Sequence, residues 1–428
     1  MDASQYVLHV TPDGCQPAGD TLRPIVQALK AQQAWLAQIP VEKLLALLDD
    51  FSARLLRDPG ARNLEGAAFL SSWLRHSNLQ KLLELNLHGN LGYLDGFVPY
   101  GRDYLAAKPQ GLVAMWMAGN IATLPMFSLV PALLTKNVCL VKLAYPEPEG
   151  MDRLLAVLAE SAVEGLRGAE LLKAVAVAWF DYHQRELNEE MSWAADAKVI
   201  WGGQSAVEAI SSLPRREHCV EIVFGPKYSI GLIGRKPLED AGETLDAVVA
   251  SFVRDIATFD QRACSAPQTI FMERNRRYSL RELGAMFARH FAKLPDKPTL
   301  DPYTTMRILN ARAGWALDDT KDVIASADGA NWTVCMDREL SLKEAVQSRT
   351  LFLTEVESWR DVIPLLTPKV QTVGIALGDL GESMAFAEAA TAAGVSRCVR
   401  PGTMNNYESP WDGKLFLSQL VRWVLLKP

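Results

Sequence analysis

The chain has 428 residues, of which 49% are apolar and 22% charged, with a formal net charge of −6. This is ordinary for a globular protein of two or three domains, and the acidic balance, without any Lys/Arg block, argues against a general nucleic-acid binder. Six scattered cysteines (Cys15, Cys139, Cys219, Cys264, Cys335, Cys398), with no C-x-x-C pair and no histidine at ligand spacing, predict neither a disulfide framework nor a metal site.

The segment Met1-Asp2-Ala3-Ser4-Gln5 lacks the basic and apolar regions of a signal peptide, so a reducing cytoplasm is expected. Apolar residues at three- and four-residue intervals predict helices over residues 22–39, 41–56, 67–75 and 79–87. Residues 1–100 therefore read as a helical N-terminal region packed on the neighbouring α/β domain. Residues 109–135 carry no charge and are long enough to cross a bilayer. Gly119-Asn120, Pro125 and Pro131 divide them instead into a strand, a polar turn and a buried helix, and no membrane span is expected.

Strands over 112–116, 138–142, 174–179, 198–201 and 220–224 alternate with helices over 124–134, 151–159, 184–191 and 205–211. That rhythm predicts a mostly parallel, doubly wound sheet across residues 101–235, whose ligands bind outside the carboxyl ends of its strands. No G-x-G-x-x-G follows any of these strands, so the usual dinucleotide fingerprint is absent. A second alternation fills residues 236–399: helices over 245–256, 280–291 and 384–393, strands over 269–272, 332–335, 350–354 and 370–376. Residues 400–428, with a helix expected over 414–426, form a C-terminal segment that packs back or contributes to oligomerisation.

Two stretches carry chemistry. Asp260-Gln261-Arg262-Ala263-Cys264-Ser265-Ala266-Pro267-Gln268 places a cysteine in a short polar loop between a helix and a strand, where a nucleophile can reach a cleft from a fixed backbone. A buried cysteine acting as a small hydrophobe is the alternative. Ala118-Gly119-Asn120 places an amide at a strand-to-helix turn, suited to holding a developing oxyanion near a helix N-terminus. A turn or capping role is the alternative, and Thr123, ahead of Pro125, is a candidate N-cap.

Taken together with Leu134-Thr135-Lys136-Asn137, Trp201-Gly202-Gly203, Phe224-Gly225-Pro226-Lys227, Gln371-Thr372-Val373-Gly374 and Trp411-Asp412-Gly413, the order of these motifs resembles the aldehyde dehydrogenase superfamily. Within it, the chain most resembles the LuxC-type fatty acyl-CoA reductases. The resemblance implies an aldehyde dehydrogenase-like α/β fold of two doubly wound domains, the cofactor domain at 101–235 and the catalytic domain at 236–399. It makes Cys264 the acyl-accepting nucleophile and Asn120, with the Cys264 backbone N–H, the oxyanion hole. Lys142, Gly202 and Gly203, with Trp116 and Ala118, would bind the cofactor. Gln261, Arg262 and Trp411 are candidate substrate contacts, and Arg262 or a helix N-terminus could activate the thiol.

The departures from the family pattern matter too. Aldehyde-oxidising relatives carry a Glu-Leu-Gly-Gly-Lys motif whose glutamate activates water. Here Val223 falls at that position, and Glu221 lies two residues away on the same strand face. Without that base an acyl-enzyme should outlast hydrolysis, which points to reduction of an acyl-CoA, or another acyl thioester, to an aldehyde. Tyr145 stands where NAD-preferring relatives hold an acidic residue, so NADPH is the expected cofactor and NADH the alternative, with CoA as the leaving group. The donor could instead be an acyl carrier protein or an acyl-transferring partner enzyme, and a homo-oligomer is expected. Two other functions fit the same residues: acyl transfer from Cys264 to a thiol or amine without redox, and a non-catalytic nucleotide- or acyl-binding subunit.

Overall fold

The computed structural model describes residues 7–146, 150–239, 242–297 and 300–428. The segment Met1–Gln5, on which the absence of a signal peptide was argued, lies outside them. The chain divides into two compact units, one reaching to Gly225 and including Tyr407–Pro428, the other Pro226–Asn406.

The first unit opens with a hairpin, β1 (Leu8–Thr11) and β2 (Gly14–Pro17), that the helical reading of this region did not anticipate. Helices α1 (Arg23–Gln38), α2 (Val41–Leu55), α3 (Ala67–Trp73) and α4 (His76–Asn86) come next. Strands β3 (Val98–Tyr100) and β4 (Asp103–Pro109) lead into β5 (Leu112–Trp116), α5 (Leu124–Leu134) and β6 (Val138–Lys142). Then come α6 (Met151–Glu160), a small hairpin of β7 (Ala162–Val163) and β8 (Leu166–Arg167), and α7 (Gly168–Leu171). The series ends with β9 (Val175–Trp179), α8 (Arg185–Ala194), β10 (Ala197–Trp201), α9 (Gln204–Ser211) and β11 (Val220–Phe224). The uncharged stretch resolves as β5, a turn and α5. Every residue of both elements is buried, because a strand covered on two faces and the helix against it need no polar side. Among the described residues no helix is long and apolar enough to cross a membrane.

The sheet runs β11-β10-β5-β6-β9-β1-β2. It is parallel from β11 to β9, and the hairpin adds two antiparallel edge strands. From β5 the chain steps to β6 on one side and later to β10 on the other. A doubly wound sheet binds ligands at such a divergence, beyond the carboxyl ends of the strands.

The second unit contains β12 (Tyr228–Ile233), α10 (Arg235–Glu239), α11 (Gly242–Ala257), β13 (Pro267–Glu273) and α12 (Leu280–Phe291). It continues with α13 (Pro302–Ala316), β14 (Asp322–Ala325), β15 (Thr333–Asp337), β16 (Thr350–Val356), β17 (Val370–Ala376), α14 (Leu380–Ala392) and β18 (Arg397–Val399). Its sheet, β14-β15-β16-β13-β12-β17-β18, is parallel except for β14. Phe252, Phe287, Leu283 and Met336 pack in the core on one side, and Phe271, Trp359 and Phe386 in another cluster.

The chain then returns to the first unit through α15 (Phe416–Gln419) and β19 (Val421–Leu426), where a helix was expected. β19 pairs antiparallel with β4, and Trp423 packs edge-on to Tyr93 at 5.3 Å. A short, continuous apolar run does not distinguish helix from strand by period, and here the free edge of β4 decides.

Candidate functional site

In the first unit the predicted cofactor residues gather at the carboxyl ends of β10, β5 and β6. Trp116 and Lys142 end their strands side by side, and Met117 donates its N–H to the Lys142 carbonyl at 3.0 Å. The Trp116 indole faces inward and donates to Asn188 Oδ1 at 3.0 Å, so its ring is engaged in packing. Lys142 is 7% exposed, with Nζ 4.8 Å from the centre of the Phe180 ring. Burial lowers its pKa to about 8, opposed by the charge of Asp181.

Gly119 lies so close to Tyr145 that a Cβ there would sit 2.1 Å from a ring carbon, while Tyr145 itself is half exposed. Asn120 follows Ala118 and Gly119 and is partly exposed. The N-cap position of α5 belongs to Thr123, whose hydroxyl makes no capping bond.

Gly202 and Gly203 lead into α9, none of whose eight residues is buried, and a Cβ on Gly203 would meet nothing within 4 Å. The turn thus leaves backbone and a helix start open beside the divergence of β5 and β10. These residues fit a dinucleotide: Lys142 and the Gly119 turn on one strand pair, the Gly202–Gly203 turn and α9 on the next.

The expected absence of a water-activating base has a physical counterpart. Val223 is half-buried on β11. Both oxygens of Glu221 are occupied: Ser211 Oγ donates at 2.7 Å, Lys198 Nζ lies at 3.1 Å and Arg215 at 3.3 Å. Lys198 is fully buried, so this carboxylate neutralises an interior cation.

In the second unit Cys264 lies at the amino end of β13, next to the amino ends of β12 and β16. It is partly exposed, unlike Cys139, Cys219 and Cys335, which are buried. The loop is pinned on both sides by Gln261, whose amide donates to Pro267 O at 2.9 Å and to Thr350 O at 3.0 Å. Its Oε1 accepts from Thr350 N at 2.9 Å. Gln261 is fully buried, so its amide holds the loop rather than facing a ligand. Ser229 Oγ donates to the Cys264 carbonyl at 2.7 Å from a register shift in β12. Ser265 Oγ donates to Asn405 Oδ1 at 2.8 Å. Arg262 is exposed, with Nε donating to Phe259 O at 3.3 Å. The loop follows the one-turn segment Thr258–Gln261, in which Phe259, Asp260 and Gln261 have positive φ, and no helix starts within the loop.

Trp411, in the first unit, is 5% exposed and packs against Tyr407 with ring centres 4.8 Å apart. Tyr407 in turn packs on Phe127 and Trp73, so Trp411 extends a buried aromatic cluster.

The fold is that of the aldehyde dehydrogenases. Aldehyde dehydrogenase 21 from Physcomitrella patens superposes with a TM-score of 0.71 at 13% identity, over 100% of this chain and 95% of that one. Lactaldehyde dehydrogenase from Escherichia coli gives 0.68 at 13%, over 99% of each. The chain belongs to the acyl-CoA reductase (LuxC) family, whose sequence model matches residues 36–423. It is 24% identical to the long-chain acyl-protein thioester reductase of Aliivibrio fischeri over 346 residues, 78% of this chain and 68% of that protein. With the Photobacterium phosphoreum protein of the same name, identity is 23% over 81% of this chain and 69% of that one.

Sequence reasoning missed Ser229, the role of Asn405, and Arg349, which donates Nε to Asp260 Oδ1 at 2.9 Å. Each acts through side-chain bonds across a long sequence separation, which leave no local pattern.

Proposed function

We propose that this protein reduces an acyl thioester to an aldehyde through an acyl-Cys264 intermediate, using a nicotinamide cofactor. The observation that carries this reading is the anchored, partly exposed Cys264 loop in a chain whose β11 offers only a valine and an already neutralised glutamate where a water-activating base would stand. Family membership and the relatives' names support the substrate class.

Cys264, as thiolate, attacks the thioester carbonyl, and the oxyanion is held by the Asn120 amide and the Cys264 backbone N–H. The donor thiolate departs, leaving the acyl group on Cys264. Lys142, the Ala118–Gly119 turn and Gly202–Gly203 would hold the nicotinamide cofactor, whose chemistry when bound would be hydride donation to this acyl group. The resulting hemithioacetal collapses, expelling aldehyde and restoring the thiolate. Tyr145, beside the Gly119 turn, puts no negative charge there to repel a 2′-phosphate, which favours NADPH. The family's description favours a CoA donor, the relatives' names a protein-bound one, and a homo-oligomer is the expected assembly.

The test is NADPH and NADH oxidation with acyl-CoAs and acyl carrier proteins of graded chain length, beside Cys264→Ala. Turnover to aldehyde with one donor class, abolished in the variant, is the expected result. A mass increase on Cys264 without cofactor oxidation would replace reduction by acyl transfer. Neither signal with any donor would overturn the thioester reading.

A further inference from the structure

Left-handed backbone is rare outside glycine, and among the described residues six of the nine non-glycine cases form two runs of three. Phe259, Asp260 and Gln261 have φ of 55°, 48° and 64°, and Gln347, Ser348 and Arg349 have 67°, 51° and 54°. Conformations of this kind persist only where surrounding contacts over-determine them. The two runs hold each other. Asp260 Oδ1 accepts from Arg349 Nε at 2.9 Å, Asp260 Oδ2 from Ser348 Oγ at 3.2 Å, and Gln261 pairs with both backbone groups of Thr350. Arg349 also donates to Pro295 O at 2.8 Å, which fixes the guanidinium from its far side. Lys297 Nζ lies 3.9 Å from Asp260 Oδ2, so the carboxylate faces two cations. The first run ends three residues before Cys264, and the second ends where β16 begins.

We propose that the Asp260–Arg349 pair positions the nucleophile: it locks the left-handed turn that aims Cys264, so that Arg349 sets thiol reactivity without touching substrate. This rests on the assignment of Cys264 as nucleophile. A planar guanidinium with one donor on Asp260 and another on Pro295 O holds both angle and distance, which a neutral amide cannot reproduce. Loosening the turn leaves the cofactor residues of the other unit untouched, so the loss falls on kcat and not on the KM for NAD(P)H.

The experiment compares wild type, Arg349→Gln, Arg349→Lys and Asp260→Asn by site-resolved iodoacetamide labelling of Cys264, with the exposed Cys15 as the internal reference. Thermal unfolding and steady-state kinetics run alongside. We expect wild-type Cys264 to be labelled faster than Cys15. In Arg349→Gln and Asp260→Asn, labelling and kcat fall about 10- to 100-fold, with the KM for NAD(P)H within about twofold. Arg349→Lys, which keeps the charge facing Asp260 but not the planar two-donor fork, recovers part of the rate. Equal labelling of Cys264 and Cys15 in wild type would overturn the nucleophile assignment itself. Fast wild-type labelling that persists in folded Arg349→Gln or Asp260→Asn would overturn the positioning role alone. So would losses that follow only the drop in melting temperature and are not restored by lysine. If Arg349→Gln does not fold, Asp260→Asn, which keeps the side chain's size, decides.

Discussion

Ser265 donates its hydroxyl to Asn405 Oδ1 at 2.8 Å across 140 residues, and Asn405 in turn donates Nδ2 to the Asp255 carbonyl at 2.8 Å. The residue after Cys264 is thereby tied to the end of α11 through a single amide. Ser265 and Asn405 are 2% and 7% exposed, so water cannot replace either bond without opening the loop. Asn405→Ala should destabilise the protein by about 2 kcal/mol, the cost of two buried groups left unpaired. Urea denaturation measures it, and an unchanged midpoint would remove Asn405 from the framework.

Asp255 gives a pH dependence of definite sign. Burial raises its pKa to about 7, against the backbone N–H groups of Gly402 and Met404, which lower it. The folded value lies above the unfolded one near 3.8, so the fold binds this proton more tightly than the unfolded chain does. Its contribution is fully present below about pH 4 and is lost as pH rises towards 7. Asp255→Asn should remove that component. The unfolding free energy of wild type minus variant should then decrease from pH 4 to pH 7 and level off above, measured by denaturant titration at four pH values. A difference that is flat with pH would refute the assignment.

Val223→Glu tests the missing base. If reduction dominates because no carboxylate activates water, installing one should divert acyl-Cys264 to hydrolysis. Free acid should rise relative to aldehyde by about tenfold or more, within the range general-base catalysis supplies. Chromatographic product ratios read this directly. Glu221→Gln is the contrast: it strips Lys198 of its carboxylate and should cost about 3–5 kcal/mol of stability without altering the acid-to-aldehyde ratio.

The contact between Gly119 and Tyr145 predicts a coupled pair. Gly119→Ala drives a Cβ into the ring, and because Tyr145 is 53% exposed the ring can swing away at modest cost in stability. The cofactor KM should rise several-fold, and Tyr145→Ala should relieve the clash, so that the double variant binds cofactor better than Gly119→Ala alone. Additive effects in the double-mutant cycle would show that the two positions act independently.

Much of the scaffold was legible because its elements are regular. β5, β6, β11, α5, α12 and β17 fall on the residues that periodicity or apolar continuity predicted: β5, β6 and α5 are buried along their length and leave nearly uninterrupted apolar runs, while α12 shows the spacing of an amphipathic helix. The edge elements were harder. Leu8–Thr11, Asp103–Pro109 and Val421–Leu426 are short or partly exposed, and nothing in their composition names a partner. Of the helix expected over 414–426 only Phe416–Gln419 is helical, and Val421–Leu426 is a strand because Tyr104–Pro109 presented an edge to pair with.

The sequence by itself determined the family, through an ordered set of motifs, and the candidate nucleophile within it, because chemistry at a strand junction requires particular residue types at fixed spacing. Only the tertiary structure decided that Gln261 is a buried brace and that Glu221 is spent on Lys198. Only there do Arg349 and Asn405 reach the segment around Cys264, from 89 and 140 residues away. Such bonds depend on which loops a sheet brings to one of its ends. A single polar side chain, met in sequence, carries no period that announces the partner it will find.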